Sequence, residues 1–334
     1  MKKKIVIAVD AMGGDDAPHK IIKGLIHNSK SNNNTYYKIF GDAQKIEKYI
    51  SKDLYKETYE IIHTDEEVLD TDTALSGAKK SKNTSMWLAI DSVKKKESDI
   101  IISAGNTGAL FVISKLNLKM IESIEKPALA GLWPNKNGMN IVLDLGANIE
   151  CSEKNLSDFC IMGSSLSKAL FPEENTKVGL LNIGSEEIKG NEVIKKTLQN
   201  LNEKKNLPFN FTGYIEADQI MSGKVNVIVT DGFTGNIALK TAEGTANFIT
   251  SELKKNITSN FLGKFLTFLN YKNFKKFKER LDPRLYNGAI LIGLDSPVVK
   301  SHGSTDFIGF SNSLKVCKKI VEGDLINKIK NNIF

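Results

Sequence analysis

The sequence predicts an α/β protein whose mainly parallel β-sheet is covered by helices on both faces. Two observations lead to this prediction: short apolar runs recur along the 334 residues, and segments of helical periodicity separate them. A third observation concerns the residues that follow these runs, which are mostly Gly, Asn, Asp and Ser. Because ligands of parallel sheets bind at the carboxyl ends of the strands, these residues are candidates for a functional site.

The strands are predicted from the apolar runs at residues 5–9, 36–40, 59–62, 100–102, 128–132, 140–145, 178–183, 209–214, 225–229 and 289–294. Helices are predicted at residues 85–96, 107–120, 156–170 and 186–203, and a further helix is expected to start near Pro18. The amino-terminal apolar run is too short for a signal peptide and ends on Asp10, so we interpret it as the first strand. We expect residues 1–334 to form a single catalytic α/β unit.

The composition is that of an ordinary globular protein, with 41% hydrophobic and 25% charged residues. No run of about 18 apolar residues is present, so a membrane-spanning helix is not expected. The three cysteines, Cys151, Cys160 and Cys317, are widely spaced and form no C-x-x-C pair. This pattern fits a reducing cytoplasm and excludes a zinc site built from cysteines.

The net charge of +7 is confined to one segment. Residues 253–280 contain eight Lys or Arg residues and one acid, whereas the rest of the chain has 38 basic and 38 acidic residues. Within this segment Phe261, Phe265, Phe268 and neighbouring leucines share one helical face with an arc of about 160°. Residues 250–285 are therefore predicted to form a basic amphipathic helical insertion.

The apolar face of this insertion has three possible partners. It would pack on the protein core or on a dimer partner, or it would make reversible contact with an anionic membrane. Nucleic acid is not expected, because the aromatic residues are embedded in a leucine-rich face instead of being spaced for stacking on bases.

Two stretches of the chain share a strand-turn-helix pattern. In the first, residues 225–229 lead into Thr230 and Asp231, then a turn with Gly232 and Gly235, and then helical composition from Asn236. Residues 100–110 align with residues 227–237 without a gap. Such a turn leaves backbone N–H groups at a helix N-terminus available to an anion. Two copies predict two loops that face one site.

The loops after six of the apolar runs are expected to lie together at one end of the sheet. Their binding candidates are Gly13, Gly14, Gly105, Thr107, Gly108, Asn148, Ser185, Gly232, Thr234, Gly235, Asn236 and Lys240, and their catalytic candidates are Asn106, Asp231, Lys300 and His302. Backbone donors, hydroxyls, amides and lysines suit the binding of phosphate or a similar oxyanion without a protein nucleophile. The alternative for any single loop is that Gly and Asn form turns and that Ser or Asp caps a helix.

Several motifs are absent from the sequence. It has no G-x-x-x-x-G-K-[ST], no G-x-G-x-x-G after a strand and no G-x-S-x-G, which disfavours nucleotide hydrolysis, the usual dinucleotide fingerprint and an α/β-hydrolase serine. The four histidines show no metal-ligand spacing. Asp10, Asp144 and Asp231 stand at strand ends and would hold a divalent cation only if they converged, so neither a metal nor a cofactor is expected.

Seven blocks occur in order along the chain: IAVDAMGGDDAP, SAGNTGAL, KPALAGLWP, VLDLGAN, KVGLLNIGSEEIKGN, VNVIVTDGFTGNIALKTAEG and VVKSHGSTD. With these blocks the sequence resembles the bacterial phosphate acyltransferases of phospholipid synthesis over nearly its whole length. The resemblance implies a Rossmann-like fold similar to isocitrate and isopropylmalate dehydrogenases, a homodimer and a peripheral membrane location in the cytoplasm. It also implies transfer of a long-chain acyl group from acyl carrier protein to inorganic phosphate, giving acyl phosphate for a glycerol-3-phosphate acyltransferase.

Under this activity the Gly105 and Gly232 loops would donate hydrogen bonds to phosphate and to the tetrahedral oxyanion. Lys240 and Lys300 would neutralise charge, and His302 would protonate the departing thiolate or orient phosphate. The basic segment would also suit an acidic carrier protein.

The sequence departs from the expected blocks in two places. Lys126 stands where arginine is expected before Pro127, and residues 291–300 are less rich in glycine than expected. Two other functions stay open: a metal- and NAD-dependent hydroxy-acid dehydrogenase of similar architecture, and a non-enzymatic adaptor that binds phosphate or lipid.

Overall fold

The computed structural model describes residues 4–31, 34–50, 54–80, 82–173 and 175–333. The described strands are β1 (Ile5–Asp10), β2 (Thr35–Gly41), β3 (Tyr59–His63), β4 (Ile100–Ser103), β5 (Ala128–Pro134), β6 (Met139–Leu143), β7 (Lys177–Asn182), β8 (Asn210–Glu216), β9 (Val227–Val229), β10 (Ala289–Ile292) and β11 (Val298–Lys300). The described α-helices are α1 (His19–Ser29), α2 (Ala43–Glu47), α3 (Ala74–Lys79), α4 (Ser85–Lys94), α5 (Thr107–Asn117), α6 (Glu153–Leu170), α7 (Glu192–Glu203), α8 (Gly232–Ile257), α9 (Phe261–Leu269), α10 (Tyr271–Arg280), α11 (Phe307–Glu322) and α12 (Leu325–Asn332).

The described strands form one sheet in the order β3-β2-β1-β4-β11-β10-β5-β6-β9-β7-β8. Seven neighbouring pairs are parallel, and three are antiparallel: β11 with β10, β10 with β5, and β5 with β6. The prediction of a mainly parallel sheet is therefore confirmed. Each predicted strand is present, whereas β11 was not predicted because its run of three residues is too short to stand out in the sequence.

The three antiparallel pairings divide the sheet into halves whose strands run in opposite directions. β1, β4 and β11 run one way, whereas β6, β9 and β7 run the other way. The expectation that six loops share one end of a simple parallel sheet is therefore wrong. A sheet twists by about 20–25° per strand, so the six steps from β1 to β9 accumulate roughly 120–150°. This twist turns the carboxyl ends of the two halves back toward each other.

Apolar side chains fill both faces of the sheet. In β1, Ile7 and Val9 join one buried cluster, whereas Ala8 joins another on the opposite face. The first cluster includes Ile21 of α1 and Phe159 of α6, and the second is built with α4 and α5. The central strands therefore read as continuous apolar runs because they are buried on both faces of the sheet.

The helix predictions are confirmed with shifted boundaries. The helix expected near Pro18 is α1, which Pro18 directly precedes. The helix expected at residues 186–203 begins only at Glu192, because the side chain of Asn191 caps it by accepting a hydrogen bond from Ile194 N at 2.9 Å. Residues before this cap form part of a loop after β7.

The helices α8, α9 and α10 form an arm that leaves the core. Only the first part of α8 packs on a buried cluster, through Ala238, Leu239 and Ala242. Phe261 and Phe268 of α9 are 87% and 76% exposed. These two phenylalanines therefore do not pack on the core of the described chain. No helix among the described residues is both long and apolar enough to cross a membrane.

Candidate functional site

Asp10 is the buried centre of the first half of the site. It ends β1, and its carboxylate accepts hydrogen bonds from the hydroxyls of Ser85 at 2.7 Å and Ser103 at 2.6 Å, and from Met12 N at 3.3 Å. Burial raises the pKa of Asp10, while these donors and the nearby Lys300 lower it. Because Asp10 ends β1 and its donors come from the following loop, α4 and β4, it holds three elements in register.

Glycines let three loops approach one another backbone to backbone beside Asp10. A Cβ atom on Gly13 would lie 2.5 Å from the backbone N of Gly105, which follows β4. Gly14 has a φ of +84°, and a Cβ there would lie 2.8 Å from the carbonyl oxygen of Ala104 and 3.1 Å from that of Gly303. The candidates Gly13, Gly14 and Gly105 are therefore brought together with the loop that follows β11.

The buried Lys20 and the half-buried Lys300 converge on these loops. Lys300 ends β11, and its ammonium donates to the carbonyl oxygens of Ala104, at 3.1 Å, and Ser301. Lys20, in the first turn of α1, donates to the carbonyl oxygen of Gly303. Among the described residues, neither lysine has a carboxylate within ion-pair distance.

The electrostatic environment of this lysine pair favours an anion. Burial lowers the pKa of Lys300 to about 8, with a contribution from the neighbouring Lys20, whereas Asp70 and Asp10 act to raise it. Burial also lowers the pKa of Lys20, whereas the nearby carboxylates of Asp15, Asp16 and Asp70 act to raise it. Two ammonium groups that are short of solvent and of direct anionic partners would be stabilised by a bound anion.

Lys20 was missed by the sequence reasoning. The sequence does place Lys20 near the site: it lies two residues after Pro18, just beyond the Gly13-Gly14 loop, in the first turn of a predicted helix. A lysine in a first turn reads as an ordinary surface residue. Its burial is set by the loop after β11, which is far away in sequence.

His302 follows Lys300 and is positioned by two neighbours. Its backbone N donates to the side-chain oxygen of the buried Asn287 at 2.9 Å, and its Nδ1 lies 3.0 Å from the Ser304 hydroxyl and 3.3 Å from Ser304 N. Partial desolvation, and then the Lys300 ammonium, lower the pKa of His302. Since Nδ1 accepts from a backbone N–H, the neutral ring carries its proton on Nε2 and presents a donor.

Asp144 is the buried centre of the second half of the site. Its carboxylate accepts five hydrogen bonds, from Leu129 N, Gly146 N, Ala147 N, Asn148 N and Asn148 Nδ2. Burial raises the pKa of Asp144, and these donors lower it. The Asn148 amide also donates to Pro127 O at 2.7 Å, so this predicted binding residue holds the loop after β6 together.

The start of α8 differs from the predicted turn. The helix begins at Gly232, and Asp231 caps it: its carboxylate accepts from Thr234 N at 2.8 Å and from the Thr234 hydroxyl at 2.9 Å. Gly232 N donates to Asn148 O at 2.8 Å, and a Cβ on Gly235 would lie 2.0 Å from Asp144 O. The expectation of an open glycine turn with free amides is therefore wrong, because Gly232 and Gly235 lie inside the helix and pack on the loop after β6.

The similar stretch after β4 leads into α5, and the cap of α5 does not align with the cap of α8. Asn106 precedes α5 and accepts from Ala109 N at 3.0 Å, while its amide donates to the carbonyl oxygens of Asp72 at 2.7 Å and Asp70 at 3.3 Å. The gapless alignment places Asn106 over Phe233, yet the cap of α8 is Asp231. The two stretches are alike in sequence but not equivalent in structure.

The two halves of the site meet across α8. Lys240 and Glu243 lie close enough to His302 to lower and raise its pKa respectively. These two side chains form an exposed ion pair of 2.8 Å. Asn236, one turn earlier, borders the loop after β6, where its side chain lies 3.6 Å from the Cβ position of Gly146.

The remaining predicted site residues, Thr107, Gly108 and Ser185, have fewer contacts with the other site residues. Thr107 and Gly108 form the first turn of α5 beside Gly105, and Thr107 is exposed. Ser185 is exposed in the loop after β7, whose described hydrogen bonds run from Asn182 Nδ2 to Gly184 O and Lys189 O. The structure therefore does not link Ser185 to the other candidates.

Two further features bear on the expected chemistry. Within the described ranges, no three or more His, Cys, Asp or Glu side chains are placed to hold a metal ion. Lys126, which stands where arginine was expected, donates to the carbonyl oxygen of Glu150 at 2.9 Å.

Comparison with known proteins identifies the family. Residues 5–328 match the family described as "Fatty acid synthesis protein". A phosphate acyltransferase of Pelagibacter ubique is 70% identical over 333 residues, covering 100% of both chains. The chain belongs to the phosphate acyltransferase family. A second relative of the same name, from Paramagnetospirillum magneticum, is 40% identical over 99% of this chain and 94% of its own length.

Solved structures agree on the fold of this phosphate acyltransferase family member. A phosphotransacetylase from Streptococcus pyogenes has a TM-score of 0.64 at 15% identity, covering 98% of this chain and 95% of its own. A phosphotransacetylase from Staphylococcus aureus has a TM-score of 0.62 at 15% identity, covering 96% and 94%. Family membership makes the chain an acyltransferase with phosphate as acceptor, in place of the dehydrogenase and adaptor alternatives.

Proposed function

We propose that the chain transfers a long-chain acyl group from acyl carrier protein to inorganic phosphate. The product, an acyl phosphate, would serve a glycerol-3-phosphate acyltransferase in phospholipid synthesis. Phosphate as acceptor follows from the family, and the fatty acyl group is supported by the family description. The carrier protein and the acceptor of the product rest on the resemblance of the seven sequence blocks.

The observation that carries the proposal is the lysine pair Lys20 and Lys300. Phosphate would lie between the two ammonium groups, next to the glycine loops and the first turn of α5. A helix N-terminus and oriented backbone N–H groups attract the same ligand. Phosphate binding would offset the repulsion between the two neighbouring ammonium groups.

The reaction needs positioning more than activation. Phosphate is already a nucleophile near neutral pH, so the protein has to desolvate it and direct one oxygen at the thioester carbonyl carbon. A C–O bond forms, the tetrahedral oxyanion collapses, and the C–S bond breaks to release a thiolate. Backbone donors and the Nε2–H of His302 would stabilise the oxyanion or orient the phosphate.

Lys300 suits the protonation of the departing thiolate. Its pKa of about 8 lies close to the pKa of about 8.5 of an ordinary thiol, so proton transfer costs little in either direction. His302 is less suitable as this acid because its neutral ring has no readily released proton. The proton passes from the Lys300 ammonium to the departing thiolate, which becomes the thiol of the carrier, and the lysine regains a proton from solvent.

Asn236 and Lys240 are the residues of the second loop best placed to reach the substrate. Both are exposed on the part of α8 that faces His302. Thr234 is less available, because its amide and hydroxyl both donate to Asp231. Asn236 and Lys240 would contact the phosphate or the carrier side of the thioester.

One assay tests the proposed reaction. Purified protein is incubated with palmitoyl-carrier protein and phosphate, and acyl phosphate is trapped with hydroxylamine as the hydroxamate. We expect phosphate-dependent hydroxamate from the wild type and about 100-fold less from Lys20→Met. Absence of hydroxamate from the wild type, with or without a divalent metal, would contradict the proposal.

We further propose that the chain works as a cytoplasmic homodimer that contacts anionic membrane reversibly through α9. The exposed Phe261, Phe265 and Phe268 beside the basic α10 support this location. Phe265→Glu with Phe268→Glu should abolish flotation with anionic liposomes, whereas Leu116→Glu on the exposed side of α5 should not. Undiminished flotation of the double variant would instead favour burial of α9 against another protein.

A further inference from the structure

Asn287 is a buried side chain next to His302, and it is 8% exposed. It lies between the 3₁₀-helix Pro283–Tyr286 and β10. Its side-chain oxygen accepts a hydrogen bond from His302 N at 2.9 Å, and its Nδ2 donates to the Ser301 hydroxyl at 2.9 Å. Because a backbone N–H can only donate, these partners fix the orientation of the Asn287 amide. Both ends of the amide are therefore directed at the loop after β11.

Two glycines leave room for this side chain. Gly288 has a φ of +111°, a backbone conformation that favours glycine, and it turns the chain from Asn287 into β10. Gly309 lies in the first turn of α11, where a Cβ atom would come within 3.2 Å of Asn287 Nδ2. The surrounding backbone is therefore shaped around the Asn287 amide.

The loop that Asn287 holds also carries hydrogen-bond acceptors for both lysines of the site. The ammonium groups of Lys300 and Lys20 donate to the carbonyl oxygens of the residues directly before and directly after His302. The backbone N between these two carbonyl groups is the atom that Asn287 fixes. A shift of this loop would therefore move both acceptors and the imidazole together, and it would change the distance between the two ammonium groups.

We propose that Asn287 is a positioning residue, which fixes the loop after β11 and thereby sets the spacing of Lys20 and Lys300. The inference rests on the proposed function, because this lysine pair is the proposed phosphate site. The Asn287 amide is buried and engaged with the loop, so its effect on phosphate passes through the lysines and His302. Loss of the amide would leave His302 N without its acceptor, and the loop would move to satisfy it.

Asn312 provides a matched control. Its amide Nδ2 donates to Arg284 O at 3.0 Å and so ties α11 to the 3₁₀-helix that precedes Asn287. Its side-chain oxygen accepts from Lys315 Nζ at 3.0 Å. Both described partners of Asn312 lie outside the loop after β11, so Asn312→Ala removes a comparable asparagine contact without releasing that loop.

The test separates KM for phosphate from KM for the acyl donor. Wild type, Asn287→Ala and Asn312→Ala are assayed for hydroxamate formation while phosphate and palmitoyl-carrier protein are varied in turn. For Asn287→Ala we expect KM for phosphate to rise about tenfold and kcat to fall several-fold, because a displaced loop misplaces groups that act only at short range. KM for palmitoyl-carrier protein should stay unchanged. Asn312→Ala should lower Tm and leave both KM values unchanged.

Ser301→Ala is a milder variant that keeps the test decisive if Asn287→Ala does not fold. It removes the hydroxyl that accepts from Asn287 Nδ2 and keeps the bond between Asn287 and His302 N. We expect KM for phosphate to rise about two- to threefold in this variant. Tm is also measured for each protein with and without inorganic phosphate. Bound phosphate should raise the Tm of the wild type more than that of either Asn287→Ala or Ser301→Ala.

The outcomes distinguish the inference from the proposed function. A lower kcat in Asn287→Ala with both KM values unchanged would mean that Asn287 only stabilises the fold, and this overturns the inference alone. If Asn287→Ala does not fold, an unchanged KM for phosphate in Ser301→Ala overturns it. A wild type that forms no phosphate-dependent hydroxamate overturns the proposed function. In that case the Tm measurements still test the inference, and an equal phosphate-induced rise in the wild type and its folded variants at these two positions overturns it.

Discussion

At the scale of single residues, the charged side chains of the site fall into two groups according to their hydrogen-bond partners. The carboxylate of Asp144 accepts five hydrogen bonds, and that of Asp10 accepts three. Such groups hold loops together, because removing their donors would leave a buried charge unpaired. The ammonium groups of Lys20 and Lys300 have carbonyl partners but no described carboxylate in ion-pair range. That difference is the reason to assign ligand binding to the lysines.

Lys300→Met should inactivate the protein while stabilising it. The pKa of Lys300 is lowered to about 8 in the fold from 10.5, so between these values the unfolded chain binds more protons. The free energy of unfolding therefore rises with pH between about 8 and 10.5. Below pH 8 the charged Lys300 lowers the free energy of unfolding by its full amount, at most about 3 kcal/mol. Thermal melts at pH 7 should show a higher Tm for Lys300→Met, with hydroxamate formation nearly lost. A lower Tm with normal turnover would contradict both the burial cost and the assigned role.

His302→Ala should lower kcat about 10- to 100-fold, because the site loses one N–H donor. His302→Gln should recover part of this loss, since the glutamine amide also donates. The pKa of His302 is lowered from 6.5, so the ring is neutral at pH 7 and turnover should not fall as pH rises through 6.5 to 7.5. Turnover of His302→Ala equal to that of the wild type would remove the assigned role.

At the scale of elements, similar sequences form different caps. The stretches after β4 and β9 both read as strand, glycine turn and helix, yet α5 is capped by Asn106 and α8 by Asp231. Any residue that can cap competes for the helix start, and tertiary contacts decide between neighbouring candidates. At α8 the contact of Gly232 N with Asn148 O brings the start two residues earlier than the alignment suggests.

Substitutions at Asp231 separate capping from catalysis. Asp231→Ala should lower the free energy of unfolding by about 0.5–2 kcal/mol, because the Thr234 amide loses its acceptor. Asp231→Asn retains a capping oxygen, so Tm and turnover should stay near those of the wild type. Normal stability combined with a large loss of turnover in Asp231→Asn would instead support the predicted catalytic role of Asp231.

At the scale of the whole molecule, charge is concentrated away from the lysine pair. Residues 253–280 carry the net charge of +7, while the remaining residues are balanced. An acidic carrier protein would be steered toward this arm by long-range attraction.

Raising NaCl from about 50 to about 300 mM should increase KM for palmitoyl-carrier protein several-fold, because the Debye length falls below about 10 Å. KM for inorganic phosphate should respond less, since its proposed site is buried. Replacement of Lys272, Lys275 and Lys276 by glutamine should weaken the salt dependence of KM for the carrier. Salt dependence that is identical in this variant and the wild type would place carrier docking elsewhere.

The sequence by itself determined the fold class, ten of the eleven described strands, the amphipathic segment and most of the glycine loops. It could do so because periodicity and β-branched runs report local burial, and glycine loops are recognised from short motifs. It did not reveal the short strand β11 or the burial of Lys20, because neither has a local signature.

Only the tertiary structure decided which loops meet. Strand direction reverses across three antiparallel pairings, and the sheet twist brings the two halves of the site together. The same long-range packing closed the predicted turn at Gly232 onto the loop after β6 and placed the half-buried Lys300 beside the buried Lys20. Burial and hydrogen-bond partners come from residues distant in sequence, so no local pattern distinguishes a structural carboxylate from a functional lysine.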